Sequence, residues 1–278
     1  MIFRNGRWVV LAGLFLFSLH ALASEYSEFL AKITPGKVQK IYSDILPGGS
    51  VEAFIDEEVP GTNFVLKLYD NKQNEVGNAK VYFGFFKNAP NIDLANISVH
   101  HSHRGRRVSA RFLKNSVRFL ASISNDRNTS VTLSAVTLGE VRFGAYVWAP
   151  FGFEYLAEPG LRPLDVAVRM NQRFVEWLEQ SNREQLFLNP SELTRIKSVA
   201  RSWRQPWQLA TMKTSQIIGR TTGPYDGQLG KAFLGDARQG LITWNGILFV
   251  NRSRSQSVKQ FKRHLSATLK LSCWEILE

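Results

Sequence analysis

IDLANISVHHSHRGRRVSARFLKNSVRFL, residues 92–120, is the stretch on which the reading of this chain turns. Ile92–Val99 reads as an apolar strand, and a short loop carrying Arg104, Arg106 and Arg107 follows it. Val108–Ala121 then reads as a helix. Val108, Phe112 and Phe119, with Leu113, Val117 and Leu120, recur at i, i+4 and i+7 spacings on one side. Arg111, Lys114 and Arg118 line the other side, where a solvated face is expected. A helix start presents unpaired backbone N–H groups and a partial positive charge. Strand, basic loop and helix start together therefore suit a small anionic ligand.

The chain has 278 residues, enough for one large domain or two modest ones. With 44% hydrophobic and 21% charged residues it can build a real core. A formal charge of +12 favours anionic partners: phosphate-bearing molecules, an acidic membrane or envelope surface, or nucleic acid. The single cysteine, Cys273, excludes an internal disulfide and any cysteine-rich metal site.

Residues 1–23 read as a secretory leader. Arg4 and Arg7 precede the apolar run Trp8–Leu19, and Ala21-Leu22-Ala23 is a small-x-small cleavage site. Spanning a bilayer takes about 20 apolar residues, more than this run offers. The expectation is an exported chain, periplasmic or secreted. Its basicity then belongs to the mature part, because only two of the cations fall in the leader.

Two short amphipathic segments, Tyr26–Ile33 and Pro35–Ile45, come next and end at Pro47-Gly48-Gly49. Asn63–Tyr69 and Ala79–Phe86 read as a hairpin with a long polar turn. A turn at Asn88–Asn91 leads into the strand at Ile92. After the helix, Val131–Leu138 is a strand, Val141–Ala149 a short helix, and Phe151–Tyr155 another strand entry. The order β–β–β–α–β–α–β points to an α/β or α+β mixed sheet flanked by helices. From residue 158 to 278 the pattern is mainly helical. Helices are expected from Arg162 to Gln180 and from Pro190 to Arg204, with Pro206 as a stop. Thr221–Gly240 reads as a glycine-rich loop, and Gly240–Val250 as a strand or hairpin interrupted at Asn245-Gly246. Ser255–Leu271 is a basic amphipathic helix, a candidate contact for anionic lipid or polysaccharide.

The run Val99-His100-His101-Ser102-His103-Arg104-Gly105-Arg106-Arg107-Val108-Ser109 resembles the acyl-CoA-binding motif of the GNAT superfamily of N-acetyltransferases. There a strand ends in Val and an Arg-Gly-x-Gly-x-Gly/Ala loop opens a helix. Phe112-Leu113 sits where that family has Leu-Leu, and Gly144-Ala145 with Phe151-Gly152-Phe153-Glu154 is similar to its closing helix and strand. The likeness covers about Thr62–Tyr155. It implies an acyl-CoA N-acyltransferase-like domain at 24–157, with 158–278 as an extension. It implies acetyl-CoA or another acyl-CoA as donor and transfer to an amine or hydroxyl. It also implies a V-shaped splay between the strands at Ile92–Val99 and Val131–Leu138. The donor would lie on Val99, Arg104, Gly105, Arg106, Arg107, Val108 and Ser109.

Arg107 replaces the motif's second glycine and Ser109 its third small residue. The Arg107 guanidinium could grip a phosphate or block the approach. Trp148 stands where many members of the family have a tyrosine acid, which leaves Tyr146, two residues away, as the candidate. Asp93 matches the position of a basic glutamate in histone-type members. It is a candidate base or a strand-entry polar residue.

His100, His101 and His103 invite a metal reading, but three imidazoles in one short loop do not easily face one ion. No metal is assigned. His101 is a further candidate base, since imidazole titrates near neutrality. Gly227–Ala232 fails as a phosphate loop because Ala232 stands where Ser or Thr is required. No Gly-x-Ser-x-Gly elbow and no His-Glu-x-x-His helix occurs. Trp203, Trp207, Trp244 and Phe261 among cations could stack single-stranded nucleic acid. The bland reading makes these rings core, and an exported address argues against a genomic partner. The alternative to an acyltransferase is a non-catalytic exported protein holding an anionic ligand on its basic surface.

Overall fold

The computed structural model describes residues 27–31, 33–56, 62–103, 106–137, 144–186, 188–214, 227–236 and 242–270. Residues 1–23, read above as a leader, and Arg104, Gly105 and Cys273 lie outside the described residues. The strands are β1 (Ser50–Ile55), β2 (Asn63–Tyr69), β3 (Glu75–Phe86), β4 (Ala89–Val99), β5 (Ser130–Thr137), β6 (Glu154–Tyr155) and β7 (Ile242–Phe249). They form one seven-stranded sheet in the order β1-β2-β3-β4-β5-β7-β6. Only β4 and β5 run parallel. The expected mixed sheet with flanking helices is thus the observed architecture.

The helices are α1 (Pro35–Ile41), α2 (Val108–Ile123), α3 (Gly144–Trp148), α4 (Pro163–Ser181), α5 (Pro190–Ala200), α6 (Pro206–Ala210), α7 (Leu229–Leu234) and α8 (Gln256–Leu269). Thr34 caps α1 and Pro35 fills its first turn, where a missing N–H does no harm. α2 is the crossover between the parallel strands. Its apolar stripe is buried, and Phe119 meets Phe83 of β3 edge-on at 5.8 Å. Tyr42, just past α1, packs its ring at a tilt against Phe112, 4.6 Å between centroids, and shares a hydrogen bond with Ser116 Oγ. α8 packs on α2 and buries Val258, Phe261, Leu265 and Leu269. One face of the sheet is therefore the core face, covered by α1, α2 and α8.

Several expectations need correction. β1 is a strand that no local pattern announces. It is an edge strand whose Phe54 and Ile55 are exposed, so it lacks the alternation of a half-buried strand. The β3–β4 turn is Lys87-Asn88, both with positive φ (51° and 63°), rather than Asn88–Asn91. Two residues at positive φ match the twist of a tight hairpin. The glycine-rich loop contains α7, with Phe233 buried against Phe174 and Trp177 of α4. Pro206 opens α6 besides following α5.

Asn245-Gly246 makes no turn. β7 runs straight through it, and a Cβ on Gly246 would lie 2.5 Å from Trp244 Cζ3 and 3.2 Å from Phe153 Cβ. Glycine is there for two aromatic rings. β7 also pairs with β5 on one side and β6 on the other, so residues beyond 158 complete the sheet instead of extending it.

Candidate functional site

The parallel ladder is short. β4 pairs with β5 only from Asn91↔Ser130 to Leu94↔Leu133, although β4 continues to Val99 and β5 to Thr137. The cause lies on the other side of β4. Its register against β3 steps from Val81↔Leu94 to Lys80↔Asn96, which leaves Ala95 as an extra residue, a β-bulge. A bulge bends its strand and increases local twist, so it ends pairing on the far side. From Ala95 onward β4 stays with β3 and leaves β5. Gly77 lets β3 follow it closely, since a Cβ there would meet Ser98 O at 2.3 Å. The result is a wedge between two strands that elsewhere in the sheet are neighbours. Among the described residues, backbone groups of β4 between Ala95 and Ser98 on the β5 side have no ladder partner.

The chain leaving β4 first turns toward β3. His100 N–H donates to Val76 O at 2.7 Å, and His101–His103 form a single 3-10 turn. Ser102 Oγ lies 2.8 Å from His100 Nδ1 and 3.3 Å from His103 Nδ1, so these side chains engage one another. Among the described residues no group of three His, Cys, Asp or Glu side chains is placed to hold a metal.

Arg106 and Arg107 are exposed, and among the described residues neither is ion-paired. Arg107 is the N-cap of α2 with φ 62° and ψ 28°, the left-handed conformation that favours glycine. A glycine would hold that geometry without a Cβ clash. No side chain caps α2 and its first turn holds no acid, so its leading N–H groups face the loop. Val108 is buried there, Ser109 is half-buried, and Val99 packs half-buried against the core.

Asp93 sits one rung before the strands part. Thr132 Oγ1 donates to its Oδ1 at 2.9 Å, Asn91 Nδ2 donates to Thr132 Oγ1 at 3.1 Å, and Ser130 Oγ donates to Asn91 Oδ1 at 3.0 Å. This chain crosses the ladder on the face opposite α2. Burial holds the Asp93 carboxyl above the usual carboxylate range, with the Thr132 hydrogen bond pulling the other way. A carboxylate so placed can accept a proton. Asn91, Thr132 and Ser130 were not among the candidates, because polar residues in strands carry no signal until their register is known.

Tyr146 lies on α3, half-buried against the core, and burial raises its pKa. Trp148 is buried 6.3 Å from Phe151, ring to ring, as a core residue.

The remaining cations and rings fall differently from expectation. Lys114 is covered instead of solvated: its Nζ lies 3.4 Å from Asp44 Oδ2, and Asn115 donates to the same carboxylate. Trp203, Trp244 and Phe261 are buried, so they cannot stack bases. The apolar side of α8 is likewise spent on the core, which leaves only its cationic side to meet a surface. Among the described residues no helix is long and apolar enough to cross a membrane.

No family model matches this chain, and no curated protein matches it.

Proposed function

We propose that the protein transfers an acyl group from an acyl-CoA-like donor, seated in the wedge between β4 and β5, to an acceptor on the face that bears Asp93. The observation that carries this reading is the ladder that stops at Leu94 and Leu133 beside the bulge at Ala95. An extended, amide-bearing pantetheine arm needs an open strand edge to hydrogen-bond, and β4 offers one between Ala95 and Ser98. Its pyrophosphate needs N–H donors and fixed positive charge, which the start of α2 and Arg106 and Arg107 supply. The resemblance in residues 99–109 supports the same assignment.

In this reading Asp93 takes the proton of the attacking group. The thioester carbonyl lies where β4 and β5 diverge, within reach of backbone N–H groups that steady its developing negative charge. Arg107 is exposed at the mouth, so its side chain is available to grip a phosphate.

Calorimetric titration of residues 24–278 with acetyl-CoA tests the reading. Binding is expected, and Arg106→Ala with Arg107→Ala should weaken it by roughly 1.5–3 kcal/mol per lost charge-assisted bond. No heat at millimolar ligand would overturn it.

One observation favours a second reading, a surface-binding protein. Residues 251–270 carry Arg252, Arg254, Lys259, Lys262, Arg263 and Lys270 and no acid. Binding to anionic vesicles that survives loss of the wedge would support it.

A further inference from the structure

The wedge opens onto a face of the sheet with an unusual composition. β4, β5 and β7 together carry one ionisable side chain, Asp93. Cross-strand register places the rest of that face. Tyr82 of β3 opposes Asp93, which in turn opposes Thr132. Past the bulge, Asn96 opposes Lys80 and Ser98 opposes Asn78, so both return to the same face. On the far side of the wedge Ser134 Oγ donates to Asn245 Oδ1 at 2.7 Å, and Thr243 follows two residues before Asn245. Asn96, Ser98, Ser134 and Thr243 are exposed, while Tyr82, Asp93 and Asn245 are half-buried. Around the wedge this face presents amides and hydroxyls with the Tyr82 ring and the Asp93 carboxyl, while Ile247, the Phe249 ring under Arg252, and Glu154 lie on the same face farther out.

The charges at its margin do not suit a cation. Lys80 Nζ is bonded to Asp56 Oδ2 at 3.0 Å, and Lys67 to Glu75 at 3.3 Å. A protonated amine or a basic peptide needs carboxylates to replace its hydration; among the described residues the one beside the wedge, Asp93, is bound to Thr132, and Glu154, farther out on the same face, accepts from Ser257 Oγ at 2.8 Å. A neutral polyol has the opposite need. Each of its hydroxyls both donates and accepts, which Asn, Ser and Thr side chains match. A hydroxyl also resists deprotonation, so it requires a base at the moment of attack. An amine that arrives neutral does not.

We infer that the acceptor is a neutral, polyhydroxylated molecule, a glycan, and that the reaction is O-acylation; this rests on the acyl-transfer reading above. The acceptor hydroxyl oxygen bonds to the thioester carbonyl carbon and its proton passes to the Asp93 carboxylate. The tetrahedral adduct then collapses, the C–S bond breaks, and the departing thiolate takes the proton back. Ester and free thiol are the products, with no other reactant consumed. Asn96, Ser98, Ser134 and Asn245 set acceptor specificity.

Acceptor binding is measurable without any donor. An uncharged N-acetylglucosamine oligomer and spermidine are each titrated into ¹⁵N-labelled residues 24–278, and amide shifts are followed by NMR. The oligomer should shift Asn96, Ser98 and Ser134, Ser134→Ala should weaken it several-fold, and spermidine should leave these amides unmoved. With acetyl-CoA added, the oligomer should gain a hydroxylamine-labile acetyl group. Spermidine binding at these amides, or acetylated spermidine without acetylated oligomer, would overturn the inference. An oligomer that shifts none of these amides would also overturn it. Failure of acetyl-CoA to bind, with oligomer shifts intact, would sink only the donor reading.

Discussion

Thr132 Oγ1 donates to Asp93 Oδ1 across the parallel ladder, one rung before β4 and β5 part. Burial still favours the neutral acid in the folded chain. The folded state therefore keeps a proton that the unfolded state releases, so this residue's contribution to stability is most favourable in acid. It declines as pH rises through the carboxylate range. Asp93→Asn keeps the acceptor for Thr132 and removes the charge. The variant should be more stable than the parent at pH 7, with the advantage gone below about pH 4, and it should lose acyl transfer. Urea unfolding at the two pH values checks this, and a less stable variant at pH 7 would contradict it.

Arg107 holds a left-handed conformation at the start of α2. Arg107→Gly should raise stability by about 0.5–1 kcal/mol, because glycine adopts positive φ without a Cβ clash. Arg107→Ala keeps the strain and should gain nothing. Paired denaturation curves separate the two, and equal behaviour would place the cost elsewhere.

Asp44 gathers Lys114, Asn115 and Arg111 of α2 beneath the segment that follows α1. Asp44→Ala leaves a nearly covered ammonium without its counter-charge. The expected loss is about 1–2 kcal/mol, moderated because the carboxylate itself is half exposed. A salt titration should show the parent, and not the variant, losing stability between low and moderate ionic strength.

Gly246→Ala places a methyl against Trp244 and Phe153, both fully buried. Overpacking should destabilise by about 1–3 kcal/mol. Thermal unfolding measures it. A neutral result would mean that Trp244 has a second rotamer open to it.

Much of this fold can be read in the sequence where local patterns dominate. The α2 stripe, the Pro35 start and the α8 face follow helical spacing, and the folded chain keeps them. The wedge was also written there, less visibly. Ile92 and Leu94 are followed by Ile97 and Val99, a period of two that slips by one residue. All four reach the core face only if Ala95 bulges, as it does.

Other features depend on neighbours far along the chain. Asn245-Gly246 has the chemistry of a turn, and only the position of Phe153 shows why the strand continues. Lys114 reads as a surface cation until Asp44, seventy residues earlier, is placed over it. The polar face beside Asp93 was hidden for the same reason. Its Asn, Ser and Thr residues lie on strands whose order, with β7 inserted between β5 and β6, no local pattern reveals.

In the proposed reaction the β4 edge beyond the bulge seats the donor. Hydrogen exchange at the amides of Ala95–Ser98, with and without coenzyme A, tests it most directly. Exchange should be fast in the free protein and slow markedly on binding, together with slowing at Val108–Ala110 where α2 begins. Coenzyme A that binds while these amides exchange at unchanged rates would contradict it.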